Sequence, residues 1–211
     1  MEEEHHHHGH GHGHGQQHWN ERYSGAPRLF NSEPDESLVE FVSDLTPGRA
    51  VDLGAGEGRN SLWLARNKWQ VTAVDISDVA IGRLEAAAKE EGLGIKTVVS
   101  DIVEFLGHGE LYDLVVLAYI QWAAEERVRL LKSAAAAVAP GGHLFLVGHH
   151  LDSLGKGGPQ QPERLYTEES LKDAFPGLDI VVLERIERPA GDIGMHGVDI
   201  VAWAQRPSAA I

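Results

Sequence analysis

The spacing of hydrophobic positions along the chain changes several times, and each change marks an element. Trp19 and Tyr23 stand four apart, on one face of a helix. After the turn Asn31-Ser32-Glu33-Pro34-Asp35, Leu38, Phe41, Val42 and Leu45 repeat at helical spacing until Pro47-Gly48 breaks the pattern. From there short apolar runs alternate with amphipathic ones. Strands are predicted at 50–53, 71–74, 96–99, 114–118 and 143–147. Helices are predicted over 59–67, over 78–91 (closed by Gly92) and over 124–138 (stopped by Pro140-Gly141-Gly142). Two late β-rich runs, 180–183 and 198–203, have Pro189, Gly191, Gly194 and Gly197 between them and no helical pattern. Strand-helix alternation predicts parallel βαβ units, and the last two strands should pair as an antiparallel hairpin with a long loop. The expected fold is therefore a doubly wound α/β sheet of about seven strands, mostly parallel, with helices on both faces.

Residues 1–18 stand apart. His5, His6, His7 and His8 are followed by His10, His12 and His14 alternating with glycine, with almost no apolar residue to repay ordering, so a disordered tail is expected there and one domain over 19–211. A flexible array of imidazoles can chelate divalent metal. Because the run breaks into Gly-His alternation after four histidines, both an engineered tail and a natural metal-binding extension stay open. The chain has no cysteine, which removes disulfides, thiolate metal sites and a cysteine nucleophile together. Its start is acidic and lacks the apolar core of a signal peptide, and no apolar run is long enough to cross a bilayer. A cytoplasmic protein with no membrane partner is the expectation. The formal net charge is −14, of which the three tail glutamates supply only three, so the body is acidic and nucleic acid is not expected as a partner.

The densest chemistry lies where the strand at 50–53 hands over to a helix: Asp52-Leu53-Gly54-Ala55-Gly56-Glu57-Gly58-Arg59-Asn60. Alternating glycines permit a tight turn and close approach of a ligand to bare backbone. Dinucleotide sites use the same device, but Arg59 replaces the third small residue of a G-x-G-x-x-G motif, and Asp52 would repel a pyrophosphate while welcoming an amino group. Asp75 ends the next strand, where a carboxylate can accept both hydroxyls of a ribose. Asp101 ends the one after, placed to meet an adenine amino group while Ile102 packs on the ring. Taken singly, Asp52 could cap the turn, and Asp75 and Asp101 could be helix N-caps.

In order along the chain, Asp52 to Gly58, Asp75, Asp101, Tyr112-Asp113-Leu114-Val115-Val116 and Pro140-Gly141-Gly142-His143-Leu144 resemble the motifs of the class I S-adenosylmethionine (SAM)-dependent methyltransferases. Trp19, Tyr23, Gly58-Arg59-Asn60-Ser61 and Gly155-Lys156-Gly157-Gly158-Pro159 resemble most the tellurite-resistance and thiopurine methyltransferase-like branch. The resemblance implies a Rossmann-like domain that takes SAM. It implies that Asp52 holds the methionine amino end, that Asp75 holds the ribose, and that Trp19 and Tyr23 close over the cofactor. Gly54, Ala55, Gly56, Gly58, Ile76, Asp101, Ile102 and Ala118 are its other implied contacts.

In-line methyl transfer needs a nucleophile aligned with the methyl group, so positioning supplies most of the catalysis and a base is needed only for a protonated acceptor. The loop after the fourth strand, Ala118-Tyr119-Ile120-Gln121-Trp122, lacks the [DN]-P-P-[YF] motif of amide and adenine N-methyltransferases. Tyr119, with His149 and His150 after the fifth strand, are the candidate catalytic residues; each histidine could equally be a solvent-facing or hydrogen-bonded bystander. Asp192 and His196 in the late loop are weaker candidates. The Gly- and Pro-rich stretch 151–165 is long enough to cover an acceptor. The expected reaction moves a methyl group from SAM to a small thiolate, oxyanion or metalloid such as tellurite. A SAM-binding or metal-handling module without turnover, and a nicotinamide-dependent reductase, are the competing readings.

Overall fold

The computed structural model describes residues 15–156, 158–188 and 197–208. Along the chain these form α1 (Gln16–Ser24), α2 (Glu36–Val42), β1 (Arg49–Leu53), α3 (Arg59–Arg66), β2 (Gln70–Asp75), α4 (Asp78–Glu90) and β3 (Ile95–Val99). Then come α5 (Ile102–Leu106), β4 (Tyr112–Ala118), α6 (Ala124–Ala136), β5 (Val138–His149), α7 (Glu168–Leu171), β6 (Asp179–Arg188) and β7 (Gly197–Gln205). The strands form one sheet in the order β3-β2-β1-β4-β5-β7-β6. β1 to β5 run parallel, while β7 is antiparallel to both β5 and β6, as the strand pattern predicts.

Helices cover both faces, which is why the central strands carry runs of consecutive apolar positions rather than alternate ones. In β4, Leu114 and Val116 pack with Leu38, Leu64, Phe145 and Trp203 on one face, and Val115 and Leu117 pack with Leu130, Leu131 and Leu144 on the other. All four are at most 1% exposed. Each such burial is worth about 1.5–3 kcal/mol, so the sheet centre carries the fold and its carboxyl tips are free to bear polar groups.

Three elements depart from the sequence expectation. α1 begins at Gln16, three residues ahead of the boundary expected at Trp19. α5 was not expected as an element, although Asp101 was open to reading as a helix N-cap: its carboxylate accepts from the amides of Val103 and Glu104 and starts a helical turn. β5 runs through Pro140-Gly141-Gly142 instead of starting after it, because the Gly141 amide bonds the Arg206 carbonyl beyond β7. Residues 1–14, with all seven histidines named as tail metal ligands, and Asp192 and His196 lie outside the described residues. No helix among the described residues is long and apolar enough to cross a membrane.

Candidate active site

β1 pairs with β2 on one side and β4 on the other, so the strand order turns around at β1. In open α/β sheets the crevice at such a switch point, above the carboxyl ends of the strands, is where ligands bind. The glycine turn fills it. The amides of Gly54 and Ala55 both donate to the Val74 carbonyl at 2.8 and 3.0 Å, and the Gly56 amide donates to Asp75 Oδ2 at 2.8 Å. Asp75 Oδ1 accepts from the Ser77 amide, also at 2.8 Å. These bonds leave acceptor capacity on the carboxylate for a further donor. Burial pushes the Asp75 carboxyl up, with the Ser77, Gly56 and Ile76 amides opposing. Ile76 follows it, half-buried.

Asp52 lies beneath the turn, 2% exposed, and its Oδ2 accepts the Ser61 hydroxyl at 2.6 Å. Desolvation pushes it up to about 6; the Ser61 hydrogen bond and the Arg59 charge hold it back from rising further. A buried carboxylate of this kind gains most from a cationic partner.

α1 roofs the turn. Tyr23 is buried, and a Cβ added to Gly56, whose φ is +55°, would come within 2.6 Å of the Tyr23 Oη. Bare backbone is therefore required at position 56 both for its conformation and for the ring above it. Trp19 sits 6.0 Å from Tyr23, ring to ring. Asn20 Oδ1 accepts the hydroxyl of Ser77, the N-cap of α4, and Glu57 takes both the Leu29 amide and the Arg83 guanidinium. The roof is thus clasped to the site at two points.

On the third strand's side, Ile102 and Ile120 converge on Gly54. Beyond them a cavity of about 200 Å³ is lined by Asp101, Val103, Trp122, Glu126 and Arg129. Asp101 is an N-cap, the plainer of its two expected roles, yet its carboxylate still borders the cavity. Ala118 ends β4 at the same level.

The tips of β4 to β7 carry a second cluster. Tyr119 has φ +59°, a strained conformation for a residue with a side chain. Its hydroxyl donates to Asp199 Oδ2 at 2.8 Å and lies 3.3 Å from Asp35 Oδ2. Burial, then the charges of Asp199 and Asp35, push this phenol well above its ordinary range. His149 Nδ1 is 3.0 Å from Asp199 Oδ1. Arg188 donates from Nε to Asp199 Oδ2 at 3.2 Å, and its far nitrogen reaches Asp35 Oδ2 at 3.2 Å. Burial alone would raise the Asp199 carboxyl, but His149, Tyr119 and Arg188 together hold it below the usual range. Arg59, the first residue of α3, lies 5.3 Å over the Tyr119 ring and joins this cluster to the glycine turn.

His150 points elsewhere. Its Nδ1 accepts the Asp152 amide at 3.1 Å, so Nε2 carries the proton and donates to Glu168 Oε2 at 3.1 Å. One nitrogen of this buried ring holds the 151–153 turn and the other holds α7, which leaves none for chemistry at the strand tips. Asp35, Arg188 and Asp199 were not among the expected site residues. Asp35 was legible only as the end of a turn, and Arg188 lies five positions beyond the strand expected at 180–183. Asp199 alone left a trace: a lone acid inside the apolar run Val198-Asp199-Ile200-Val201.

Residues 50–142 match the model of a methyltransferase domain family. The probable SAM-dependent methyltransferase TehB of Haemophilus influenzae is 30% identical over 112 residues, which is 52% of this chain and 39% of that protein. The ribosomal RNA small subunit methyltransferase C of Alcanivorax borkumensis is 32% identical over 108 residues, 49% of this chain and 33% of that one. The chain thus spans only about two fifths or less of these curated relatives. Among solved structures, one determined in work on conversion of a disulfide bond into a thioacetal group in echinomycin biosynthesis superposes with a TM-score of 0.76 at 17% identity, covering 92% of this chain and 93% of the other. The crystal structure of H. influenzae TehB gives 0.71 at 20% identity, covering 90% and 66%.

Proposed function

Starting from a chain that carries a class I SAM-dependent methyltransferase domain related to TehB, we propose that it transfers the methyl group of SAM to a small acceptor: a thiolate, an oxyanion or a metalloid oxyanion such as tellurite. One observation carries the reading. The bare Gly56 backbone is tied to Asp75 and roofed by Tyr23, with the cation-seeking Asp52 buried beneath it. In this reading Asp52 balances the methionine ammonium, the remaining acceptor sites of Asp75 take the ribose hydroxyls, and the cavity beside Asp101 and Ile102 takes the adenine. Trp19 and Tyr23 exclude water from above.

The bound cofactor supplies a methyl group on a positively charged sulfur, and the residues around it supply orientation. Tyr119 and His149 face the acceptor side, with Gly158 packed against the His149 ring; an added Cβ at Gly158 would lie 2.5 Å from it. That crowding favours a small acceptor over a polymer. The test is incubation of the full chain with methyl-labelled SAM and a panel of thiols, phenols and chalcogen oxyanions. Label should appear in at least one of them, with equimolar S-adenosylhomocysteine (SAH). Label reaching only protein or nucleic acid would refute the acceptor class, and calorimetry that detects nicotinamide binding but no SAM binding would refute the cofactor.

A further inference from the structure

Resting on that methyl-transfer reading, we propose that His149 Nε2 takes a proton from the acceptor, with Asp199 as its positioning residue, so that the substrate is a small molecule arriving with an ionisable S–H or O–H group rather than a preformed oxyanion. The tautomer follows from the contacts. Asp199, an ionised acceptor, faces His149 Nδ1 at 3.0 Å, so Nδ1 carries a ring hydrogen, and in the neutral ring Nε2 is then the nitrogen with the lone pair. The other carboxylate oxygen is occupied by the Tyr119 hydroxyl and Arg188 Nε, which stops the carboxylate turning away. The Gly158 backbone packs along the Nε2 edge, where an added Cβ would come within 2.8 Å of Nε2, and the His149 side chain stays 28% exposed.

The charged and polar groups linked to His149 are Asp199 on β7, Tyr119 after β4, Arg188 on β6 and, through Arg188, Asp35 and Glu36 at the start of α2, with Arg59 behind the Tyr119 ring. The His149 ring lies 5.0 Å from Tyr119, which in turn carries Arg59 from the end of the glycine turn, so the candidate base borders the proposed cofactor site. In the step, the acceptor X–H gives its proton to Nε2 and its electron pair forms the X–CH₃ bond. The S⁺–CH₃ bond breaks with its electrons returning to sulfur, and the imidazolium later loses the proton to solvent.

The experiment compares wild type with His149→Gln on acceptors of graded acidity near neutral pH: a thiol acidic enough to be already ionised, an alkyl thiol with a pKa of about 8.5 and a phenol near 10. The variant should lose about 10²- to 10⁴-fold on the protonated acceptors and far less on the ionised thiol, with SAH affinity retained as proof of folding. An equal loss on all three, or no loss, overturns the base while leaving methyl transfer standing. A wild type that transfers to no acceptor overturns both. A second readout is independent of turnover. In nitrogen-15 spectra of the SAH complex, His149 should hold its hydrogen on Nδ1, and Asp199→Asn should shift that preference. A wild-type ring protonated on Nε2 instead would overturn the assignment.

Discussion

The two halves of the strand-tip face are built on different plans. Around β1 and β2 the bonds that shape the glycine turn itself join near neighbours, with only the α1 roof reaching farther: Asp52 meets Ser61 nine positions on, and Gly56 meets Asp75 nineteen positions on. Around β4 to β7 they join distant ones: Tyr119 and Asp199 are 80 apart, and Arg188 and Asp35 are 153 apart. The first half uses backbone amides and buried acids held above their ordinary range, the second uses ion pairs and a histidine. A local motif can be carried intact on one βαβ unit. The long-range cluster exists only when the first and last elements dock on the same sheet.

If that contrast is right, damage should separate by half. The largest effect is expected from Arg188→Met, which leaves Asp35 and Asp199 buried together without their cation. It should cost about 3 kcal/mol of stability by chemical denaturation and leave SAH affinity nearly unchanged in the folded protein. A parallel fall in affinity would show the halves to be coupled.

Asp52→Asn should do the reverse. The Asp52 carboxyl is raised from 3.8 to about 6 in the folded state, so the folded protein binds the proton more tightly than the unfolded chain. Its favourable contribution is present below about pH 4 and is lost as pH rises through about 6, so at neutral pH the ionised group costs at most ~3 kcal/mol. The asparagine variant should therefore melt higher at pH 7, an advantage that vanishes below about pH 4. It should also bind SAM about 100-fold more weakly, as expected when a ligand cation loses a buried counter-charge. In the wild type, SAM affinity should drop about tenfold per pH unit below 6, measured by calorimetry.

Gly56→Ala comes next. Its φ of +55° and the overlying Tyr23 should together weaken SAH binding about tenfold or more, while Gly92→Ala, also at positive φ but with open space around it, should lower stability alone. The smallest effect is expected from His150→Gln: loss of the Glu168 contact should cost about 1 kcal/mol of stability and change methyl transfer by less than about threefold. A large kinetic effect there would put His150 back at the chemistry.

Most of the sheet could be read along the chain because the central parallel strands carry continuous apolar runs and α4 ends at a recognisable stop, Gly92. The elements misread were those whose local signal conflicts with their partner. In α5 only five residues, Ile102-Val103-Glu104-Phe105-Leu106, follow a capping aspartate, too few to show a period. In β5 a Pro-Gly-Gly is carried through by pairing with the chain beyond β7. His149 and His150, adjacent and chemically identical, were indistinguishable as letters. Only the neighbours each meets separated them, Asp199 for one and the Asp152 amide with Glu168 for the other.

What the order of residues determined alone is the doubly wound architecture and the glycine turn with its acids at 52, 75 and 101, since periodicity, chain stops and the reach of a single turn are short-range properties. Which side chains surround Tyr119 was decided by the tertiary structure. Asp35, Arg188 and Asp199 enter the site through sheet order and helix docking, and the separations they bridge are far longer than any spacing rule can see.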